Sequence, residues 1–176
     1  ANNKARKTIA ERYPDLAEIA FTHSLGHVPG FTDGAALSLL GSREAGRRNG
    51  LTPRAVIVAN AEIGGDPILQ FGAGFDAMDA ALQQAGMSIN DVDLIEFMEA
   101  CAAPPLKLER RYKLDPDRVN VNGGHLAMGH PMGATGAVLL STLLDQLDLS
   151  DAETGMVVTL GATGIGSALI IKRVDQ

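Results

Sequence analysis

The chain has 176 residues, 45% of them hydrophobic and 20% charged, with twenty glycines, an aromatic share of only 4% and a formal charge of -6. Its pI near 5.1 and the lack of a basic stripe with interleaved aromatics argue against a nucleic-acid binder, and no run approaches the ~18 apolar residues of a membrane span. The single cysteine, Cys101, excludes an internal disulfide framework and fits a reducing compartment, so a cytoplasmic protein with an aliphatic core is expected.

Residues 4–20 carry a helical pattern that Pro14 interrupts. Residues 21–34 read as loop, because Gly26, Pro29 and Gly30 break any helix. The apolar run Ala35–Leu40 predicts a buried strand, and Ser42–Gly50 a short helix stopped by its glycine. After a joint at Thr52-Pro53, Ala55–Ile63 reads as a β-branched strand and Phe71–Ala85 as an amphipathic helix with Gly86 as its stop. Val92–Met98 predicts a second strand, and Ala102–Tyr112 a helix that starts near Pro104-Pro105. Ala137–Leu147 is helical in pattern. Two strands, Met156–Leu160 and Ser167–Val174, close the chain around a Gly161–Gly166 turn. This order implies an α/β layered domain with a mixed sheet and helices on both faces. Residues 1–52 hold too little alternating structure to stand alone and are expected to be the tail of a preceding lobe, with 53–176 as the domain proper.

The most informative stretch is Asn120-Val-Asn-Gly-Gly-His-Leu-Ala-Met-Gly-His-Pro-Met-Gly-Ala-Thr-Gly136. Its glycines allow close approach of a ligand, and Pro131 stiffens the turn behind His130. The loop leads into a helix N-terminus, which offers free N–H groups and favours negative charge. A rigid histidine beside such donors suits the stabilisation of an oxyanion, so His130 is the leading candidate for chemistry and His125 is read as its structural neighbour. Glu96 and Glu99 should point to opposite faces of a strand; Glu99, at the strand end where loops meet, is the better candidate. Cys101 is read as a small buried hydrophobe rather than a nucleophile.

Two other signals are weaker. Gly161-Ala-Thr-Gly-Ile-Gly166 resembles a dinucleotide fingerprint in composition only. Such a loop must open a helix, and the ten residues after it read as a strand, so a hairpin turn lining a cleft is expected. His23 and His27 stand at the spacing of a helical zinc pair, but Gly26 and Pro29 exclude that helix, and no metal site is expected.

The long glycine motif resembles the C-terminal signature of the thiolase family. Gly26-His-Val-Pro-Gly-Phe-Thr-Asp-Gly-Ala-Ala36 is similar to that family's Gly-Asn-x-Ser-Gly-x-x-Asp-Gly-Ala-Ala segment, and Asp93-Leu-Ile-Glu-Phe-Met-Glu-Ala-Cys-Ala-Ala103 to its Asp-Leu-x-Glu-x-Asn-Glu-Ala-Phe-Ala stretch. The resemblance implies a thiolase-like fold of two βαβαβαββ halves, this chain holding the end of the first half and the complete second. It implies acyl transfer between coenzyme A, as cosubstrate, and 3-oxoacyl-CoA or acetyl-CoA, with no permanently bound cofactor. The nucleophilic cysteine would lie in the missing or separate first half, and a dimer or tetramer is expected. Catalytic roles fall on His130, for the oxyanion, and Glu99; contacts to the CoA thioester fall on Gly123, Gly124, His27, Gly161 and Gly164.

Several positions depart from the pattern. The second family cysteine, an acid/base in a Cys-x-Gly-Gly-Gly-x-Gly loop, falls on Leu160 without gaps, or on Gly161 with a one-residue shift. Met98 stands at the asparagine before Glu-Ala, His27 at the asparagine and Pro29 at the serine of Asn-x-Ser-Gly, and Cys101 at the phenylalanine. These departures leave two alternatives to acyl transfer: a retro-aldolase acting on a hydroxyacyl-CoA, and a non-catalytic acyl-CoA-binding subunit.

Overall fold

The computed structural model describes residues 2–16 and 22–174. Helix α1 (Asn2–Arg12) ends two residues before Pro14, whose ring excludes an N–H and restricts the residue ahead of it. The helix expected over 4–20 is therefore shorter, and residues 17–21 lie outside the described ones. Tyr13 donates its hydroxyl to Asp66, which docks α1 on the loop that follows the first strand.

Residues 22–42 form loop with a single 3-10 turn at Leu25–His27. The strand expected at Ala35–Leu40 is not formed. The segment pairs with no strand, and Leu37 is 95% and Leu39 81% exposed. Its apolar pattern asks for a sheet, and the sheet of this chain is already built from other segments. Helix α2 (Arg43–Arg48) begins where Ser42 Oγ accepts from the Ala45 N–H at 3.1 Å and is followed by Gly50 at φ 65°. Three of the basic residues near it are ion-paired: Arg47 and Arg48 with Glu44, and Arg54 with Asp145 and Asp148.

The sheet has four strands: β1 (Ala55–Gly64), β2 (Leu94–Phe97), β3 (Thr154–Gly161) and β4 (Ile165–Arg173). Their order is β1-β4-β3-β2, with β2 parallel to β3 and the other two pairs antiparallel. The turn between β3 and β4 is shorter than expected, three residues, because Gly161 pairs with Ile165.

Helices cover both faces. Helix α3 (Ala73–Ala85), stopped by Gly86 at φ 65°, packs on β1 and β4, and helix α6 (Thr135–Leu149) on β2 and β3. Leu160 points at Gly74 of α3 while its neighbour Thr159 points at Gly136 of α6, as the alternation of a strand requires. Leu139, Leu143 and Leu147 make one fully buried stripe at four-residue spacing. Each such burial stabilises by ~1.5–3 kcal/mol. Close packing rests on two glycines: a side chain at Gly155 would meet Leu143 at 2.7 Å, and one at Gly166 would overlap the Ala73–Gly74 backbone. On the face of α6, the β1–β4 half carries no helix of this chain among the described residues, and Asn60, Leu140, Ser167 and Leu169 line an open hollow there. Between β2 and β3 the chain makes helix α4 (Ala103–Tyr112), with Pro104 in its first turn, and the short helix α5 (His125–Met128).

Candidate active site

The site is built on the end of β2. One residue past its last pair, Met98 still holds Val158 through its N–H, and the chain then turns out as Glu99. Asn120 fixes that turn. Its amide closes a two-way latch on Phe97, accepting from the N–H at 2.7 Å and donating to the carbonyl at 2.9 Å, and it also donates to Glu99 Oε1 at 3.0 Å. To do so Asn120 takes φ 47°, a left-handed conformation that asparagine tolerates better than most residues.

Glu99 uses its second oxygen to accept the Leu126 N–H at 2.9 Å. Its carboxylate therefore clamps the glycine loop to β2. Gly124 makes room for this clamp, since any Cβ there would overlap the carboxyl group, whereas Gly123, at φ 82°, has open space around it. The latch and the clamp together place α5 directly over the strand end.

His130 sits one turn further on. Its N–H donates to the Gly30 carbonyl at 2.8 Å, and its own carbonyl accepts from Thr32 at 3.4 Å, so residues 30–32 run alongside it. His130 is 9% exposed, and its Nδ1 lies 2.8 Å from Thr135 Oγ1 at the start of α6. Nε2 has no partner among the described residues. Burial lowers the imidazole pKa, which keeps the ring neutral. Thr135 Oγ1 and Nδ1 can each be the donor of this bond; in the tautomer in which the hydroxyl donates, the neutral ring carries its proton on Nε2 and can give a hydrogen bond there.

His125, 1% exposed, packs edge-on against His130 with ring centroids 5.7 Å apart. Both of its ring nitrogens are buried without a partner among the described residues. Burial, followed by the His130 charge, lowers its pKa, while Glu99 acts the other way. Glu96, 2% exposed, also leaves Oε2 unpartnered among the described residues, and burial with the Glu99 charge raises its carboxyl to about 7.

The remaining expected site residues are divided. His27 is exposed beside the Glu99 turn: its carbonyl accepts from Ala102 at 2.9 Å, and its ring is bonded to Ser24 and tilted against His23. Gly161 lies in the β3–β4 hairpin. Gly164, at φ 81°, is buried against Gly65 and Asp66, its carbonyl accepting from Gly65 N–H at 2.6 Å. Leu160 is turned into the α3 core, and Met98 Sδ accepts from the Leu160 N–H at 3.4 Å. Neither position therefore carries a group that can move a proton. Among the described residues no set of three or more His, Cys, Asp or Glu side chains is gathered to hold a metal ion, and no helix is long and apolar enough to cross a membrane. Sequence reasoning alone misses Thr135 and Asn120. A threonine at a helix start five residues after the histidine, and an asparagine ahead of paired glycines, are the signals that could have found them.

A family profile described as the thiolase C-terminal domain matches residues 51–173. The chain belongs to the thiolase family. This thiolase domain is 40% identical over 152 residues to an acetyl-CoA acetyltransferase of Paracoccus denitrificans, covering 86% of this chain and 39% of that protein. It is 39% identical to an acetyl-CoA acetyltransferase of Escherichia coli, over 89% of this chain and 40% of the relative. A crystal structure of the Bacillus anthracis acetyl-CoA acetyltransferase superposes with a TM-score of 0.72 at 36% identity, covering 76% of this chain and 34% of that one. The thiolase chain thus spans about two fifths of the length of the curated relatives it matches.

Proposed function

We propose that this chain is the C-terminal part of a cytoplasmic acyltransferase that moves acyl groups between coenzyme A and 3-oxoacyl-CoA or acetyl-CoA, with CoA as cosubstrate. The observation that carries the reading is His130, buried, held at Nδ1 by Thr135 and without a partner at Nε2 among the described residues. In this role Nε2–H donates to the oxyanion that forms when a thioester carbonyl is attacked or an enolate develops, and such donors act where charge appears in the transition state. Glu99 keeps the loop in place beneath it. The names of the relatives, acetyl-CoA acetyltransferases, support the same substrate class.

The nucleophile of this reaction, a cysteine, is supplied from outside this chain, by a preceding half or a partner. Two features support such a complement: the exposed apolar run at Ala35–Leu40, which fits as a strand of another sheet, and the uncovered β1–β4 half beside α6. Residues 1–52 then close the first half and 53–176 form the second, assembled as a dimer or tetramer. In this reading Gly123, His27 and the Gly161 turn contact the thioester arm. One observation favours a second reading, a retro-aldolase on a hydroxyacyl-CoA: the β3–β4 turn holds no thiol, and Leu160 is packed away from His130.

The test uses the full-length protein with acetoacetyl-CoA and free CoA. His130→Ala should lower acyl exchange by ~10²–10³-fold, the usual cost of one oxyanion donor. Release of an aldehyde or ketone from a hydroxyacyl-CoA, with no thiolysis, selects the retro-aldolase. A His130→Ala protein that keeps every wild-type rate leaves the chain as a non-catalytic acyl-CoA-binding subunit.

A further inference from the structure

His130 takes its backbone hydrogen bonds from outside its own loop. Its N–H donates to the Gly30 carbonyl at 2.8 Å and its carbonyl accepts from the Thr32 N–H at 3.4 Å, so residues 30–32 lie against it as a short parallel strand would. The same segment is anchored again just upstream. There the His27 carbonyl accepts from the Ala102 N–H at 2.9 Å, beyond the Glu99 turn. Between the two anchors Pro29 is buried, while Val28 and Gly30 on either side of it are exposed. A proline at this place fixes φ and leaves no N–H in need of a partner, so the span between the anchors is stiff.

Two glycines let this segment press on the histidine turn. Gly129, at φ 94°, has no room for a side chain, because a Cβ there would overlap the Thr32 methyl group. At Gly34 a Cβ would meet Pro131 Cβ at 2.8 Å, and a proline ring cannot swing aside. The segment thus touches Gly129, His130 and Pro131 in succession. Within residues 27–34 only Pro29 is buried. Such a stretch adds little hydrophobic stability, yet it meets three consecutive residues at one imidazole.

We propose that residues 27–34 are a strap that sets the position of His130, with Pro29 and Gly34 as positioning residues for the reaction. Thr135 holds the ring through Nδ1, and the strap holds the backbone that carries the ring; together they define where Nε2 lies. Through Ala102 the strap also ties His130 to the Glu99 turn, so that the two catalytic candidates keep one geometry. It then runs directly into Ala35–Leu40, the exposed run that the acyl-transfer reading assigns to the preceding half. The kinetic consequence rests on that reading, whereas the protection of the His130 amide does not.

The experiment compares full-length wild type with Gly34→Ala and Pro29→Gly, by hydrogen exchange at the His130 amide and by acyl exchange with acetoacetyl-CoA and CoA. Gly34→Ala adds a Cβ that pushes the strap off Pro131, and Pro29→Gly adds no atom but frees the span. Each should speed exchange of the His130 amide at least about tenfold, as a local opening does. In Gly34→Ala the urea unfolding midpoint should not move. In both, kcat should fall about tenfold with KM held, a part of the ~10²-fold that a misplacement of about 1 Å can cost. In a Pro131→Gly background, which removes the obstacle, Gly34→Ala should cost nothing further in kcat. Gly41→Ala, later in the same loop and with ordinary room for a Cβ, should match wild type in both readouts. Either strap variant suffices if the other fails to fold. A His130 amide that exchanges at the wild-type rate in the variants overturns the strap, and faster exchange with kcat unchanged overturns its positioning role. Faster exchange in the variants of a protein whose wild type transfers no acyl group supports the strap and refutes the acyl-transfer reading.

Discussion

Replacing Glu99 by glutamine should be worse than removing the side chain altogether. Glu99 accepts from two donors, Asn120 Nδ2 at 3.0 Å and Leu126 N–H at 2.9 Å. A glutamine has one acceptor oxygen and must turn its NH2 toward one of them. Asn120 cannot rotate to help, because its amide is held at both ends by Phe97, at 2.7 Å and 2.9 Å. One charge-assisted hydrogen bond, worth ~1.5–3 kcal/mol, becomes neutral, and the other becomes two opposed donors, each left short by ~1–3 kcal/mol. Allowing for partial relaxation, Glu99→Gln should cost about 3 kcal/mol. Glu99→Ala leaves the same donors at a half-exposed position that water can refill, so its loss should be smaller, about 1–2 kcal/mol. The assay is equilibrium urea unfolding of the full-length proteins at neutral pH, with hydrogen exchange at the Leu126 amide as the local readout. A Glu99→Gln protein within about 0.5 kcal/mol of wild type, with Leu126 exchange unchanged, would refute the clamp.

The packing and the buried acid carry further expectations. Gly74→Ala should destabilise by about 1–3 kcal/mol because its Cβ runs into the Leu160 side chain; a double-mutant cycle with Leu160→Ala should return a coupling of at least about 1 kcal/mol. At Gly166 the obstacle is the Ala73–Gly74 backbone, which cannot rotate aside, so Gly166→Ala should exceed about 3 kcal/mol or give no soluble protein, as read by yield and urea unfolding. Glu96 sets a pH dependence of definite sign. Its folded value, about 7, lies above the ordinary carboxyl value of 4.5, so the native state holds the extra proton and stability falls as pH rises through that window. The fall should approach about 3 kcal/mol by pH 8, and unfolding curves at pH 5 and pH 8 should show it in wild type but not in Glu96→Gln.

Much of this architecture could be read from local pattern. The 55–63 strand, the 71–85 helix with Gly86 behind it as a stop, and the 137–147 helix each carry their own local pattern, and all three appear within a few residues of the expected bounds. Ala35–Leu40 shows where such reading ends. Its apolar run specifies a buried strand, yet among the described residues it pairs with no strand, and Leu37 and Leu39 stay exposed. The site divides the same way. His130 and Glu99 stand out by residue type at the end of a strand or before a helix. Asn120 fixes a backbone 23 residues away, and Thr135, five residues after His130, reads only as part of a helix start until the fold turns its hydroxyl onto the imidazole. Nothing in the order of residues tells that His125 keeps both nitrogens unpartnered, because that depends on which atoms fail to arrive.

The latch of Asn120 on Phe97 has a further meaning for the outer margin of the sheet. β2 is the last strand on its side, and an open strand margin is a template on which other chains can add. Here the outward groups are already taken: the Ile95 carbonyl by the Asn120 N–H, and both backbone groups of Phe97 by the Asn120 amide. One side chain thus imitates a neighbouring strand and shields the margin against aggregation. A protein altered at Asn120 would lose material to precipitates before any rate could be compared, and what passed for an inactive enzyme would be a sticky one.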